Sequence, residues 1–166
     1  MKKFILLFML ALGLAINVKA MTYEEAFDSI KAIPNMKGVQ GTLISGGNDF
    51  ASLGITDGQL ILWDGETGLN KETAVYGNTL YRIMGQLPVS EMVQGLMNDQ
   101  TIFSIFASPI SADKNRILIL SDSAADGFTG ALIGYINNKD LAALRQAILI
   151  PAEAGGTAVY LKALKF

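Results

Sequence analysis

The chain has 166 residues, of which 13 are basic, 15 acidic and 51% apolar, and it contains neither cysteine nor histidine. Without a thiol or an imidazole it cannot form a disulfide, a Ser-His-Asp triad, a Cys-His dyad or the usual zinc, copper and non-haem iron ligand sets. Any catalysis would fall to carboxylates, Lys, Tyr or Ser, or to a hard metal held by oxygen.

The first twenty residues read as a signal peptide. Lys2 and Lys3 give a positive start, Phe4 to Ile16 is an apolar run with one glycine, and Val18 and Ala20 stand where a signal peptidase reads small or modest side chains. The run is short of the roughly 20 apolar residues a membrane-spanning helix needs. With no cysteine to carry a lipid, stable membrane insertion after cleavage is not expected. Residues 21–166 then form one domain. Lys2, Lys3 and Lys19 leave with the signal, so this domain has ten basic and fifteen acidic residues, a net charge of −5. Such a surface does not suit nucleic acid or anionic lipid.

Thr22 and Glu25 form a capping-box pattern that opens a helix running to Ile33, with Tyr23, Ala26, Phe27, Ile30 and Ile33 on one apolar face. Glu24 and Glu25 suit the positive end of its dipole, and Pro34-Asn35 ends it. Gly38 to Ser45 is a strand closed by Gly46-Gly47-Asn48. Residues 51–56 and 59–63 read as a hairpin about Asp57-Gly58, a strong type I′ turn signal. Asp64-Gly65 and Thr67-Gly68 mark another turn. "ETAVYGNTLYRIM", residues 72–84, reads as one interrupted strand or two short ones, with Gly77-Asn78 as a bulge. Ser90 caps a second expected helix over 91–98. "TIFSIFAS" is a strand, "ISADKN" a turn, and "RILILS" and "TGALIGYI" are strands. Asn137 or Asn138 caps a third helix with Leu141, Leu144, Ala147 and Ile148 on its apolar face. Pro151 and Gly155-Gly156 break it, and "TAVYLKALKF" alternates as a last strand. Short turns between strands predict a mainly antiparallel sheet, with about three helices on one face: an α+β domain of two layers.

Among possible sites, "SDSAADG" at 121–127 is the densest polar stretch. It fails as a calcium loop because Ala124 and Ala125 fall at ligand positions. As a catalytic pair, Asp122 and Asp126 would share one loop rather than face each other across a cleft. A solvated hairpin loop, turning at Asp126-Gly127, accounts for it. Ser45 to Asp49 lacks the helix and Lys of a phosphate loop and reads as a turn. Trp63 and the strand tyrosines read as edge and core residues. A Ser-Lys dyad could draw on Ser111 with Lys114 or Ser29 with Lys31, but S-x-x-K belongs on a helix opening a cleft.

The short Lys-rich signal, the Thr22–Phe27 opening "TYEEAF" and the end "RILILS…GALIGYINNKDLAAL" resemble small exported proteins of unknown function from Bacteroidetes. The resemblance implies an envelope location and carries no catalytic residues. Asp122-Ser123-Ala124 likewise resembles the acceptor pattern of the Bacteroidetes periplasmic O-glycosylation system, with Ser123 as the acceptor; Asp28-Ser29-Ile30 matches too, on a predicted helix. The expectation is thus an exported domain of the periplasm or envelope, a non-enzymatic binding or interaction module for an unknown envelope protein or small ligand, with no cofactor, no metal and no nucleic-acid partner. The alternative is a carboxylate-dependent hydrolase or lyase using Asp49, Asp64, Glu66 or Glu72. An enzyme should bring two such acids into one cleft; a binding module should expose apolar surface or an unpaired sheet edge.

Overall fold

The structure, a computed structural model, describes residues 19–33, 40–46, 48–64, 71–98, 101–123 and 129–148. Chain order gives helix α1 (Tyr23–Lys31), strand β1 (Gln40–Ser45), the single-turn helix α2 (Asn48–Ala51), β2 (Ile55–Asp64), helix α3 (Lys71–Met84), a 3₁₀ turn (Val89–Glu91), β3 (Met92–Asn98), β4 (Thr101–Pro109), β5 (Lys114–Ser123), β6 (Thr129–Asn137) and helix α4 (Asn138–Ile148). The six strands form one antiparallel sheet in the order β1-β2-β6-β5-β4-β3. The chain lays down β1 and β2, passes through α3 to the far edge, and returns strand by strand until β6 closes the gap beside β2. The α+β class, the antiparallel sheet and three helices of more than two turns agree with the expectation.

Helix α1 forms as its sequence dictates. The Thr22 hydroxyl accepts from the Glu25 N–H at 3.1 Å, and the Glu25 carboxylate accepts from the Thr22 N–H at 2.8 Å, so two otherwise orphaned donors are satisfied. Its apolar stripe, Tyr23, Ala26, Phe27 and Ile30, is buried. Asn137 starts α4 in the same way, accepting from the Asp140 N–H at 2.8 Å and donating to the Asp140 carboxylate at 2.7 Å.

The core divides between the two faces of the sheet. On one, α1 and α3 lay Phe27, Ile30, Leu80 and Ile83 over Ile61, Phe106, Leu118, Leu120 and Ile133. On the other, Phe50 of α2 and Leu144 of α4 join Leu60, Phe103, Ile105, Ile117, Ile119 and Leu132. The expectation put all the helices on one face; α1 and α3 cover one face together, while Leu144 of α4 packs on the opposite one. Ile117 to Leu120 are buried in succession, as a strand enclosed on both sides requires.

Three local expectations are corrected. Residues 72–84 are helical in α3: Leu80, Ile83 and Met84 bury at the i, i+3, i+4 spacing of one helix face. Residues 92–98 are strand, not helix, because β4 offers them an open edge and Gly95 costs about 1 kcal/mol in a helix interior. Asp57-Gly58 is a bulge inside β2, not a hairpin turn. Asp57 takes φ 50°, and the register with β6 shifts between Thr56 and Gln59. Gly58 has no side chain to strike the Phe50 ring, which a Cβ would approach to 2.8 Å.

Candidate functional site: a cleft at the start of the first helix

Where α1 begins, a cleft of about 390 Å³ opens at one end of the α1–α3 face. Its walls come from Ala20 to Glu24, from Pro88 and Glu91 of the 3₁₀ turn, from Ser108 and Ile110 at the end of β4, and from Arg116 and Tyr135 on β5 and β6. Pro88 is extended, at φ −63° and ψ 113°, and turns the chain into Val89–Glu91. This points Glu91 at α1 and β4 together. Its carboxylate accepts from the Tyr23 hydroxyl at 2.7 Å and from the Ser108 hydroxyl at 3.0 Å, one bond on each oxygen. Burial pushes the Tyr23 phenol well above its ordinary range, and the hydrogen bond to Glu91 and its negative charge act the same way. Tyr23 is thus fixed as a neutral donor.

A second pairing lies beside the first. Arg116 Nε donates to Glu24 Oε1 at 2.8 Å. Arg116 and Tyr135 are register partners on β5 and β6, and the guanidinium carbon stands 4.4 Å from the centre of the Tyr135 ring. Lys114, two residues along the same strand, places Nζ 4.7 Å from that ring. At the helix start, hydrogen bonds from the Thr22 backbone and hydroxyl group hold Glu25 below the usual carboxylate range. Around these polar groups stand exposed apolar side chains: Ile110 is 53% exposed, and Val89, between Pro88 and Glu91 in the chain, is 75% exposed.

Three of the carboxylates expected from the sequence fall on described elements. Asp49 is on α2, Asp64 ends β2, Glu72 is in the first turn of α3, and Glu66 lies outside the described residues. The Ser-Lys candidates separate. Ser111 donates to Asp113 at 3.1 Å while Lys114 lies over Tyr135; Ser29 donates to the Glu25 carbonyl at 2.7 Å while Lys31 pairs with Asp28 at 2.6 Å. Ser123 is the last residue of β5, opposite Thr101, and 124–128, including the expected Asp126-Gly127 turn, lie outside the described residues, as does the expected strand 157–166. Gly46, at φ 72°, turns the chain after β1 as expected. Trp63 is set opposite Gly41 and Thr129 by the register of β2. Among the described residues, no group of three or more acidic side chains is placed to hold a metal ion, and no helix is long and apolar enough to cross a membrane.

Sequence reasoning did not single out Glu91, Ser108 or Arg116. Glu91 follows "LPVS", in which the proline could have marked a break before a strand. The bond from Tyr23 to Glu91 spans 68 positions and leaves no local signal. No protein-family model matches the chain, and neither a curated protein nor a solved structure matches it.

Proposed function

We propose that the protein is a non-enzymatic binding or interaction module, exported to the periplasm or cell envelope, which engages an envelope protein or a small ligand at the cleft beside α1. The observation that supports this most is the condition of the acids in the cleft. Both oxygens of Glu91 accept hydrogen bonds from Tyr23 and Ser108, and Glu24 is bonded to Arg116. These groups hold α1 to the sheet rather than facing a substrate, while Val89 and Ile110 present apolar surface to solvent. Strand β1, at the edge of the sheet among the described residues and with Leu43 exposed, is a second surface of the kind a binding module offers.

The test is retention from envelope extract by residues 21–166. A specific partner should stay with the native domain and be lost from a Val89→Asp/Ile110→Asp variant of unchanged melting temperature. Equal retention by both would remove the cleft from the reading. The alternative of a carboxylate-dependent hydrolase or lyase rests on Glu24 and Glu91 sharing one cleft. It requires a turnover that Glu91→Gln abolishes in a folded protein.

A further inference from the structure

We propose that removal of the leader after Ala20 completes the cleft, by seating the new α-ammonium of Met21 in its wall as a fixed hydrogen-bond donor. The inference rests on the export reading for the cut itself, but the seat is a feature of the fold. The Met21 N–H donates to the Gln86 carbonyl at 3.0 Å, tying the residue to the turn that follows α3. The Met21 side chain packs on the α1–α3 core, and the next residue, Thr22, is already locked into the capping box. Met21 is thus held in the fold at the residue directly after the cut. Ala20 and Lys19, just before it, are exposed.

The step is hydrolysis by a signal peptidase. Water adds to the Ala20 carbonyl, the Ala20–Met21 C–N bond breaks, Ala20 departs with the carboxylate, and the Met21 nitrogen takes up the protons to become an ammonium. Three consequences follow. A nitrogen that offered one N–H now offers three; one keeps the Gln86 carbonyl, and the others serve the cleft. Ala20, part of the wall, is removed, so the cleft widens. Lys19, whose ammonium stands 4.0 Å from Glu25, leaves, and the Met21 ammonium restores a positive charge beside the first-turn acids. Cleavage must also precede folding, because a peptidase needs extended chain on both sides of the bond and Met21 is not free to extend once docked.

The test uses a fusion with a protease site directly before Met21, so that it does not depend on export. After cleavage, the α-amine is acylated at neutral pH, and the N-terminal peptide is quantified by mass spectrometry in native buffer and in urea. The seated amine should react roughly tenfold more slowly in the folded protein, since it must open before it can react. A chain begun at Ala20 should react at nearly its unfolded rate. Equal folded and unfolded rates for the Met21 amine would overturn the seat. Separately, N-terminal sequencing of the exported protein should start at Met21; another start would overturn the processing step while leaving the seat to the acylation result.

Discussion

The two faces of the sheet are buried by different means. The α1–α3 face is built by two helices and finishes in a polar cleft, where Tyr23, Glu91, Ser108, Arg116 and Glu24 tie α1, the 3₁₀ turn, β4 and β5 together. On the opposite face, Phe50 and Leu144 supply the helical cover, over the isoleucine and leucine rows of β4, β5 and β6. The first face therefore adds to its packing a polar network that spans several elements, whereas the polar bonds of the second gather at the start of α4. Hydrophobic burial is non-directional and tolerates many arrangements. A carboxylate receiving two hydroxyls fixes one docking of α1 on the strands beneath it.

Emptying either face should have the largest effect. Phe27→Ala and Phe50→Ala should each cost about 3–5 kcal/mol by urea unfolding, because both rings are fully buried. A loss below about 1 kcal/mol for Phe50→Ala would mean that the second face is not a true core. The next effect is confined to the first face and appears in alkali. The folded-state pKa of Tyr23 is raised, so its contribution is complete below the ordinary tyrosine value of about 10 and declines above it, as the unfolded chain ionises first. Stability measured from pH 8 to 11 should fall more steeply for the native protein than for Tyr23→Phe, and parallel curves would contradict this. On the other side, Asn137→Ala should cost about 0.5–2 kcal/mol through loss of the α4 cap, read from the urea midpoint. Smallest is Glu24→Gln. Its partner Arg116 is largely covered, but Glu24 is mostly exposed, so the loss should be about 0–1 kcal/mol and shrink further in salt.

What could be read from the sequence follows the range of the interactions involved. The capping box at Thr22, the cap at Asn137 and the three strands β4 to β6 are decided within a few residues of chain, and each was legible. Helix α3 was obscured by Val75, Tyr76 and Gly77, which suit strands and bulges, although the Leu80-Ile83-Met84 spacing was helical. Strand β3 carries apolar residues at spacings that also suit a helix, and its fate is set by β4, a partner outside any local window. The Asp57-Gly58 pair carries a real positive-φ signal, which a bulge satisfies as well as a turn. Burial on both faces was written in the unbroken "ILIL" of β5, where one-sided cover would leave alternation. The cleft was not legible, because Tyr23, Glu91 and Arg116 meet only after the sheet and α1 have docked.

The Glu91 carboxylate serves the fold through the hydrogen bond it accepts from Tyr23. The most direct measurement is a double-mutant cycle of Tyr23→Phe and Glu91→Gln by urea unfolding. A hydrogen bond to a charged group predicts a coupling of about 1.5–3 kcal/mol. Additivity within about 0.5 kcal/mol would show the two side chains to be independent and would contradict the account.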